Sequence, residues 1–255
     1  MAELFSIVII CKNEANGIAR VLESISKITD DIVVYDNGST DGTIEIAKNY
    51  GVNVHQLEWL GFGKTKQKAV SLAKHNWVLS LDADEALDEQ LQNELTRLNL
   101  SDPRIVYQIR FKNYLGNKYM KWGEWGGDKH IRLFNRDFVN WDDAKVHEQL
   151  VIGKDIKVEQ LKGYILHHTM KDMIEYSNKM VQYALLNAEK YHQQGKKATW
   201  VKRHVNPVFS FINHYIFQLG FLDGWEGLVT ARMTSFYTFL KYTRLHELNS
   251  RNKLS

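Results

Sequence analysis

Cysteine is nearly absent from this chain. Cys11 stands alone, so no internal disulfide framework can form, and a reducing compartment fits. Long apolar runs are missing too. No stretch of about 18 or more apolar residues occurs, so no segment reads as a transmembrane helix. The opening Met1-Ala2-Glu3-Leu4 has neither the basic nor the apolar region of a secretory signal, which points to a cytosolic protein. There is no low-complexity tract and no internal repeat, which excludes fibrous and solenoid architectures. What is there is a globular composition over 255 residues, enough for a proper core. One α/β domain, or one domain plus an appendage, is the expectation.

Charge is unevenly placed. The net charge is +3, but residues 150–255 carry 15 Lys and Arg against 8 Asp and Glu, a surplus of +7. The remainder carries 18 against 22, or −4. A mildly acidic front and a basic, aromatic back suit different partners. The basic residues form no stripe with a known nucleic-acid motif, so a nucleic acid is not an expected partner.

The front half reads as alternating strands and helices. Phe5 to Ile10 is nearly all apolar and β-branched, as in a central parallel strand. Gly17 to Ile28 has helical spacing through Ile18, Val21, Leu22 and Ile25. Ile32 to Asp36 is a second buried strand, Ile44 to Asn49 a helix and Val52 to Gln56 a short strand. Lys64 to His75 is the next helix and Trp77 to Leu81 the next strand. This alternation predicts a doubly wound parallel sheet, whose ligands bind at the carboxyl ends of the strands.

Three polar clusters lie at those ends: Asn13-Glu14, Asp36, and Asp82-Ala83-Asp84-Glu85. In an extended segment Asp82 and Asp84 point to the same side. Two such carboxylates make a hard, oxygen-rich site, suited to Mg²⁺ or Mn²⁺ holding a diphosphate. The plain alternative is an acidic loop before a helix capped by Asp88. Asp36 can accept from a ribose hydroxyl or can hold its own turn. Ser39 and Asp41 read as turn and capping residues.

Ser6 to Glu14, Val34 to Thr43 and Leu79 to Glu85, in that order and spacing, resemble the inverting glycosyltransferase family 2. The resemblance implies a GT-A (Rossmann-like) fold: a mostly parallel central sheet, helices on both faces, and here a C-terminal helical, partly amphipathic appendage. It implies a domain over residues 1–170, with a nucleotide-sugar half (1–100) and an acceptor half (101–170). Residues 171–255 read as a helical region. From residue 199 its aromatics, flanked by Lys202, Arg203, Arg232, Lys241 and Arg244, suit an interfacial helix on anionic lipid, with helices that pack on the catalytic domain or form a dimer as the alternative. The resemblance implies nucleotide-sugar contacts from Asn13, Glu14, Asp36 and Asp82, and a divalent metal held by Asp82 and Asp84. Residues 58–67 look like the family's donor loop, which puts Lys64 or Gln67 near the nucleotide.

The second half supplies candidates for the acceptor and the base. Trp122 and Trp125 lie in a Gly- and aromatic-rich stretch, and aromatic faces stack on sugar rings. A hairpin whose aromatics fill a core is the structural alternative. Inverting transfer needs one carboxylate to take the acceptor proton. The order Arg-Leu-Phe, then Val146-His147-Glu148, resembles a lipopolysaccharide-core subgroup of the family. Many relatives carry the base in a Glu-Asp pair that is missing here. Glu148 is the first candidate and Asp128 the second. His167-His168 ends a strand, and the resemblance makes His167 a further metal ligand. Residues 221–228 look like the tail motif of the same subgroup.

The expected activity is transfer of a hexose, from UDP-glucose or another UDP-sugar, onto an inner-core heptose of lipopolysaccharide at the cytoplasmic face of the inner membrane. The enzyme would sit on that membrane without spanning it. A polyprenyl-phosphate lipid or another surface polysaccharide is the rival acceptor. A non-catalytic sugar-nucleotide or glycan-binding protein is the rival of another class.

Overall fold

The computed structural model describes residues 4–143, 149–170 and 172–251. In chain order, β1 (Phe5–Cys11), α1 (Ile18–Ile25), β2 (Ile32–Asp36), α2 (Thr43–Asn49), β3 (Asn53–Gln56), α3 (Phe62–Ser71) and β4 (Trp77–Asp82) alternate. Then come β5 (Glu85–Leu87), α4 (Glu89–Leu95), β6 (Ile105–Leu115), β7 (Lys118–Met120), β8 (Lys129–Asn135), β9 (Asn140–Trp141), β10 (Leu150–Val151) and β11 (Lys157–Met170). Three helices follow, α5 (Met173–Gln193), α6 (Trp200–Ile212) and α7 (Trp225–Arg251). The chain forms two compact units: Met1–Lys112 with Asp128–His167, and Asn113–Gly127 with His168–Ser255.

The first unit is built on one sheet, in the order β3-β2-β1-β4-β8-β6-β11-β5. β3, β2, β1 and β4 are parallel, as the βαβ alternation predicts. Beyond β4 the pairing changes: β8 meets β4 and β6 antiparallel, and β11 meets β5 antiparallel. The sheet is therefore parallel from β3 to β4 and mixed overall.

Strand alternation loads both faces. Ile7, Ile9, Leu79 and Leu81 point into one core with α1 and α4; Val8, Tyr35 and Val78 point into another with α3. Ile18, Val21, Leu22 and Ile25 of α1 are fully buried, each stabilising the fold by roughly 1.5–3 kcal/mol. Helix α3 stops four residues short of the predicted His75. Arg136 takes its last carbonyls, with Nη1 donating to Val70 O (3.1 Å) and Ala73 O (2.7 Å). The next amides turn to Asp31 and Ser6 instead (Lys74 N, 2.7 Å; His75 N, 2.9 Å).

Asp88 caps α4 as expected, accepting from Leu91 N at 2.9 Å, and the same oxygen accepts from Tyr164 N of β11 at 3.0 Å. The helix start therefore lies directly on that strand at Gly163. A Cβ there would meet Leu91 N at 2.3 Å and its Cα at 2.4 Å. Gly163→Ala is expected to cost at least about 1–3 kcal/mol, read as a fall in the urea midpoint. An unchanged midpoint would contradict this packing.

The second unit is helical. Asp172 and Thr199 cap α5 and α6, accepting from Glu175 N (2.9 Å) and Lys202 N (3.4 Å). Helix α7 packs along both α5 and α6. A small core of Leu115, Met120, Met170 and Tyr176 joins them to the β7 hairpin. Among the described residues no helix is long and apolar enough to cross a membrane.

Candidate active site

The register of the parallel strands brings the three polar ends together. Cys11 pairs with Asp36 across β1 and β2, and Ile10 with Asp82 across β1 and β4. At the first two ends the side chains serve the turns. Asn13 adopts φ 56°, a left-handed conformation Asn tolerates. Its Oδ1 accepts from Thr40 N (2.8 Å) and its N–H donates to Ser39 Oγ (2.8 Å). The Glu14 amide donates to Thr43 Oγ1 at 2.8 Å. Asp41 accepts from Thr43 N (3.0 Å) and Ala15 N (3.1 Å), linking the two loops.

Asp36 is fully buried. One oxygen accepts from Gly38 N (3.0 Å) and Ser39 N (2.9 Å); the other takes the Ser39 hydroxyl and the Cys11 thiol (3.6 Å). Four donors fill the lone pairs of one carboxylate, so here it holds its own turn. Burial pushes the Cys11 thiol well above the ordinary thiol range, and the Asp36 charge and hydrogen bond add to the rise. The thiolate is the reactive form. Cys11 is expected to react with a disulfide reagent at pH 8 about 10²-fold more slowly in the native protein than in urea. Equal rates would contradict the thiol–carboxylate contact.

The third end is a cluster of ions. Asp82 Oδ1 lies 3.2 Å from Lys66 Nζ, and Oδ2 lies 3.3 Å from Arg132 Nη2. The same guanidinium pairs with Glu85, and the Asp82 amide donates to Glu85 Oε2 at 3.0 Å. Lys66, Glu85 and Arg132 are buried. Trp141 lies under the Lys66 ammonium at 4.6 Å and Phe111 under the Arg132 guanidinium at 5.3 Å. Burial works to raise Asp82, but Lys66 and Arg132 outweigh it and hold the carboxyl well below its usual range. Burial pushes Glu85 upward, against the pull of Arg132.

Asp84 meets a different partner, and Asp82 beside it keeps 35% of its side chain exposed. Asp84 Oδ2 lies 3.3 Å from His167 Nε2, and these two side chains stay 25% and 23% exposed. Strand β11 places His167 opposite Glu85. Burial disfavours the imidazolium, but the Asp84 hydrogen bond and charge more than offset it, leaving His167 raised. The structure thus pairs Asp84 with His167 and turns Asp82 to its two cations. Among the described residues, no group of three or more His, Cys, Asp or Glu side chains is placed to hold a metal ion. Of the residues expected to hold a metal, Asp84 and His167 lie against each other and Asp82 against its two cations.

Lys64 is exposed on α3, and Gln67 is a tether, its Nε2 donating to Trp141 O (2.6 Å) and Asp143 Oδ1 (2.9 Å). Asp128 is partly exposed, with Oδ1 2.8 Å from His130 Nε2. Glu148 lies outside the described residues. Sequence reasoning missed Lys66, Glu85 and Arg132. A signal for Arg132 was present: it alternates with Ile131 and Leu133 in an apolar strand, and a buried cation needs an acid beside it.

In the second unit, Asp223 is buried and accepts from Trp122 N (2.7 Å) and Lys121 N (3.2 Å). Gly227 presses on Gly220, whose carbonyl oxygen would lie 1.8 Å from a Cβ. The tail motif is therefore a clamp on the Trp122 loop. Trp122 is half-buried and lines a cavity of about 420 Å³ with Lys121, Glu124 and Gln218. Trp125 is turned inward, edge-on to Tyr176 at 5.5 Å, and is not the exposed loop residue the sequence suggested. His168 stacks on Tyr114 at 4.6 Å.

The model of the family "Glycosyl transferase family 2" matches residues 6–151. A Rickettsia typhi protein described as an uncharacterized glycosyltransferase is 32% identical over 96% of this chain and 87% of its own length. The lipopolysaccharide core biosynthesis glycosyltransferase LpsC of Rhizobium meliloti is 27% identical over 94% of this chain and 90% of its own. The crystal structure of Staphylococcus aureus TarS residues 1–349 is a more distant likeness, with TM-score 0.48 and 14% identity over 99% of this chain and 92% of that one. A family match over more than half of the sequence, joined by a relative above 30% identity along nearly its whole length, makes this chain a member of glycosyl transferase family 2 and a glycosyltransferase.

Proposed function

We propose that the enzyme is a metal-dependent, inverting hexosyltransferase that moves glucose from UDP-glucose onto an inner-core heptose of lipopolysaccharide. It would work on the cytoplasmic face of the inner membrane. The observation that carries the donor half is the Asp84–His167 pair beside the cation-held Asp82 at the strand ends, all three side chains partly exposed. One carboxylate and one imidazole fit Mg²⁺ or Mn²⁺, which commonly take few protein ligands and complete their shell with phosphate oxygens and water. Such an ion neutralises charge on the leaving diphosphate.

Around it the chain's own groups divide the work. Asn13, Glu14 and the turn held by Asp36 border the nucleotide, and Lys64 is free to swing toward the phosphates. Lys66 and Arg132 keep Asp82 ionised and fixed. Asp128, hydrogen-bonded to His130, is the described carboxylate able to take the acceptor proton; Glu148 is its rival. Trp122, lining its own cavity, offers a face for a sugar ring. The likeness to LpsC supports a lipopolysaccharide acceptor.

Calorimetry with UDP-, GDP- and ADP-sugars, with and without Mn²⁺, tests the donor reading. UDP-glucose is expected to bind only when Mn²⁺ is present. Transfer to heptose-terminated core fragments then tests the acceptor. No sugar nucleotide binding under any condition would sink the proposal.

A further inference from the structure

Helix α6 is built inside out. Trp200, Val201, Val205, Val208 and Phe209 are all exposed, Trp200 at 63% and Phe209 at 61%. These positions share one side of a helix. The positions that turn away from this face include Asn206, Pro207 and Ser210, and only Pro207 is buried. Its carbonyl accepts from the Ser235 hydroxyl at 2.8 Å. Among the described residues the apolar side therefore stays largely uncovered. The segments that follow also expose Phe217 and Trp225, each at 69%.

The charge along α6 and its flanking segments as far as Leu222 has one sign, and Glu226 follows beside Trp225. From Lys190 to Leu222 there is no Asp or Glu, but there are five Lys and Arg. At 100° per residue, Lys202 and Arg203 fall at the two edges of the apolar face. Lys196 and Lys197 are exposed just before its first turn. At 13 residues the helix is far too short to span a bilayer.

We infer that this face of α6, with Phe217 and Trp225, docks on an anionic phospholipid surface, the helix lying in the interface with its basic edges on the headgroups. Aromatic and aliphatic side chains between cationic edges are what such an interface binds. A second copy of the chain is a poorer occupant. A two-fold interface sets a patch against itself, so the Lys202 and Arg203 edges of one copy would meet the same cations of the other. Nucleic acid would satisfy the cations but leave Val205 and Val208 unused. The inference rests on the proposed function for the choice of membrane, and its test is independent of catalysis.

The test is co-sedimentation of the full chain with vesicles of phosphatidylethanolamine and phosphatidylglycerol, against phosphatidylcholine alone. Binding is expected only to the anionic vesicles. Lys196→Gln with Lys197→Gln should weaken it about 25-fold, roughly five-fold per charge. Phe209→Ser and Phe217→Ser, which change side chains already in solvent, should each weaken it about ten-fold with an unchanged melting temperature. Wild-type protein left in the supernatant, or Phe209→Ser protein that still sediments fully, would overturn the inference. So would a dimer in sedimentation velocity that Phe209→Ser dissolves, or capture by RNA in preference to vesicles. Donor calorimetry on the same protein needs no lipid, so failure of docking and failure of the transferase reading are separable.

Discussion

Asp84→Ala is expected to abolish Mn²⁺-supported UDP-sugar binding and to lower kcat/KM by about 10³-fold or more, while the protein stays folded. The direction follows from the division of labour at the β4 end. Asp84 and His167 are 3.3 Å apart and partly exposed, and Asp84 is not tied to the buried cations that hold Asp82. Removing the carboxylate leaves one imidazole to hold an ion and a diphosphate. A loss of about 4 kcal/mol of leaving-group stabilisation corresponds to about 10³ in rate. Stability should change little, because a partly exposed ion pair contributes only about 0–1 kcal/mol. Asp82→Ala cannot serve the same purpose, since it removes a carboxylate that pairs with both buried cations, Lys66 and Arg132, and so disturbs the fold. The measurements are calorimetric titration of UDP-glucose with Mn²⁺ and a melting curve for each protein. A variant that binds within about three-fold of wild type would show that Asp84 holds neither metal nor diphosphate.

The sequence made the skeleton legible for a physical reason. Buried parallel strands are written as continuous β-branched runs, and helices as a period of 3.6, so β1 to β4 and α1 could be read directly. The antiparallel second half was harder, because strand order is set by contacts distant in sequence. The third-end motif was equally plain as chemistry, but not which acid faces where. Alternation puts Asp82 and Asp84 on the same side of an extended chain. The chain instead turns after β4, so Asp82 goes to Lys66 and Arg132 and Asp84 to His167. Asp36 shows the converse. The pattern allows a ribose contact or a turn anchor, and in the structure four donors tie it to its own turn and to Cys11. Trp125 looked like a loop aromatic because composition cannot reveal that Tyr176, fifty-one positions on, lies beside it.

Arg132→Met should be the most damaging single change to the first unit, lowering stability by about 3–5 kcal/mol. Its guanidinium bridges Asp82 and Glu85, and both Arg132 and Glu85 are buried. Methionine fills much of the volume but leaves Glu85 as an uncompensated buried acid. For a chain of this size that corresponds to a fall in melting temperature of about 6–20 °C. Arg132→Met with Glu85→Gln separates charge from packing. The amide removes the stranded charge and still accepts from the Asp82 N–H, so the double variant should recover at least about half of the loss. It should not recover all of it, because Asp82 keeps Lys66 but loses its second cation. A double variant as unstable as the single one would place the damage in packing over Phe111 and not in charge. A single loss below about 1 kcal/mol would mean that the buried cluster is not an ion network. Such a network is costly to desolvate, so its retention needs a functional reason. Asp82, Asp84 and Glu85 set three acids at one strand end, and Lys66 and Arg132 answer them with two fixed cations. That balance is what would let a metal and an anionic diphosphate enter together, with His167 neutral as a ligand, and losing Arg132 would upset it toward the acids.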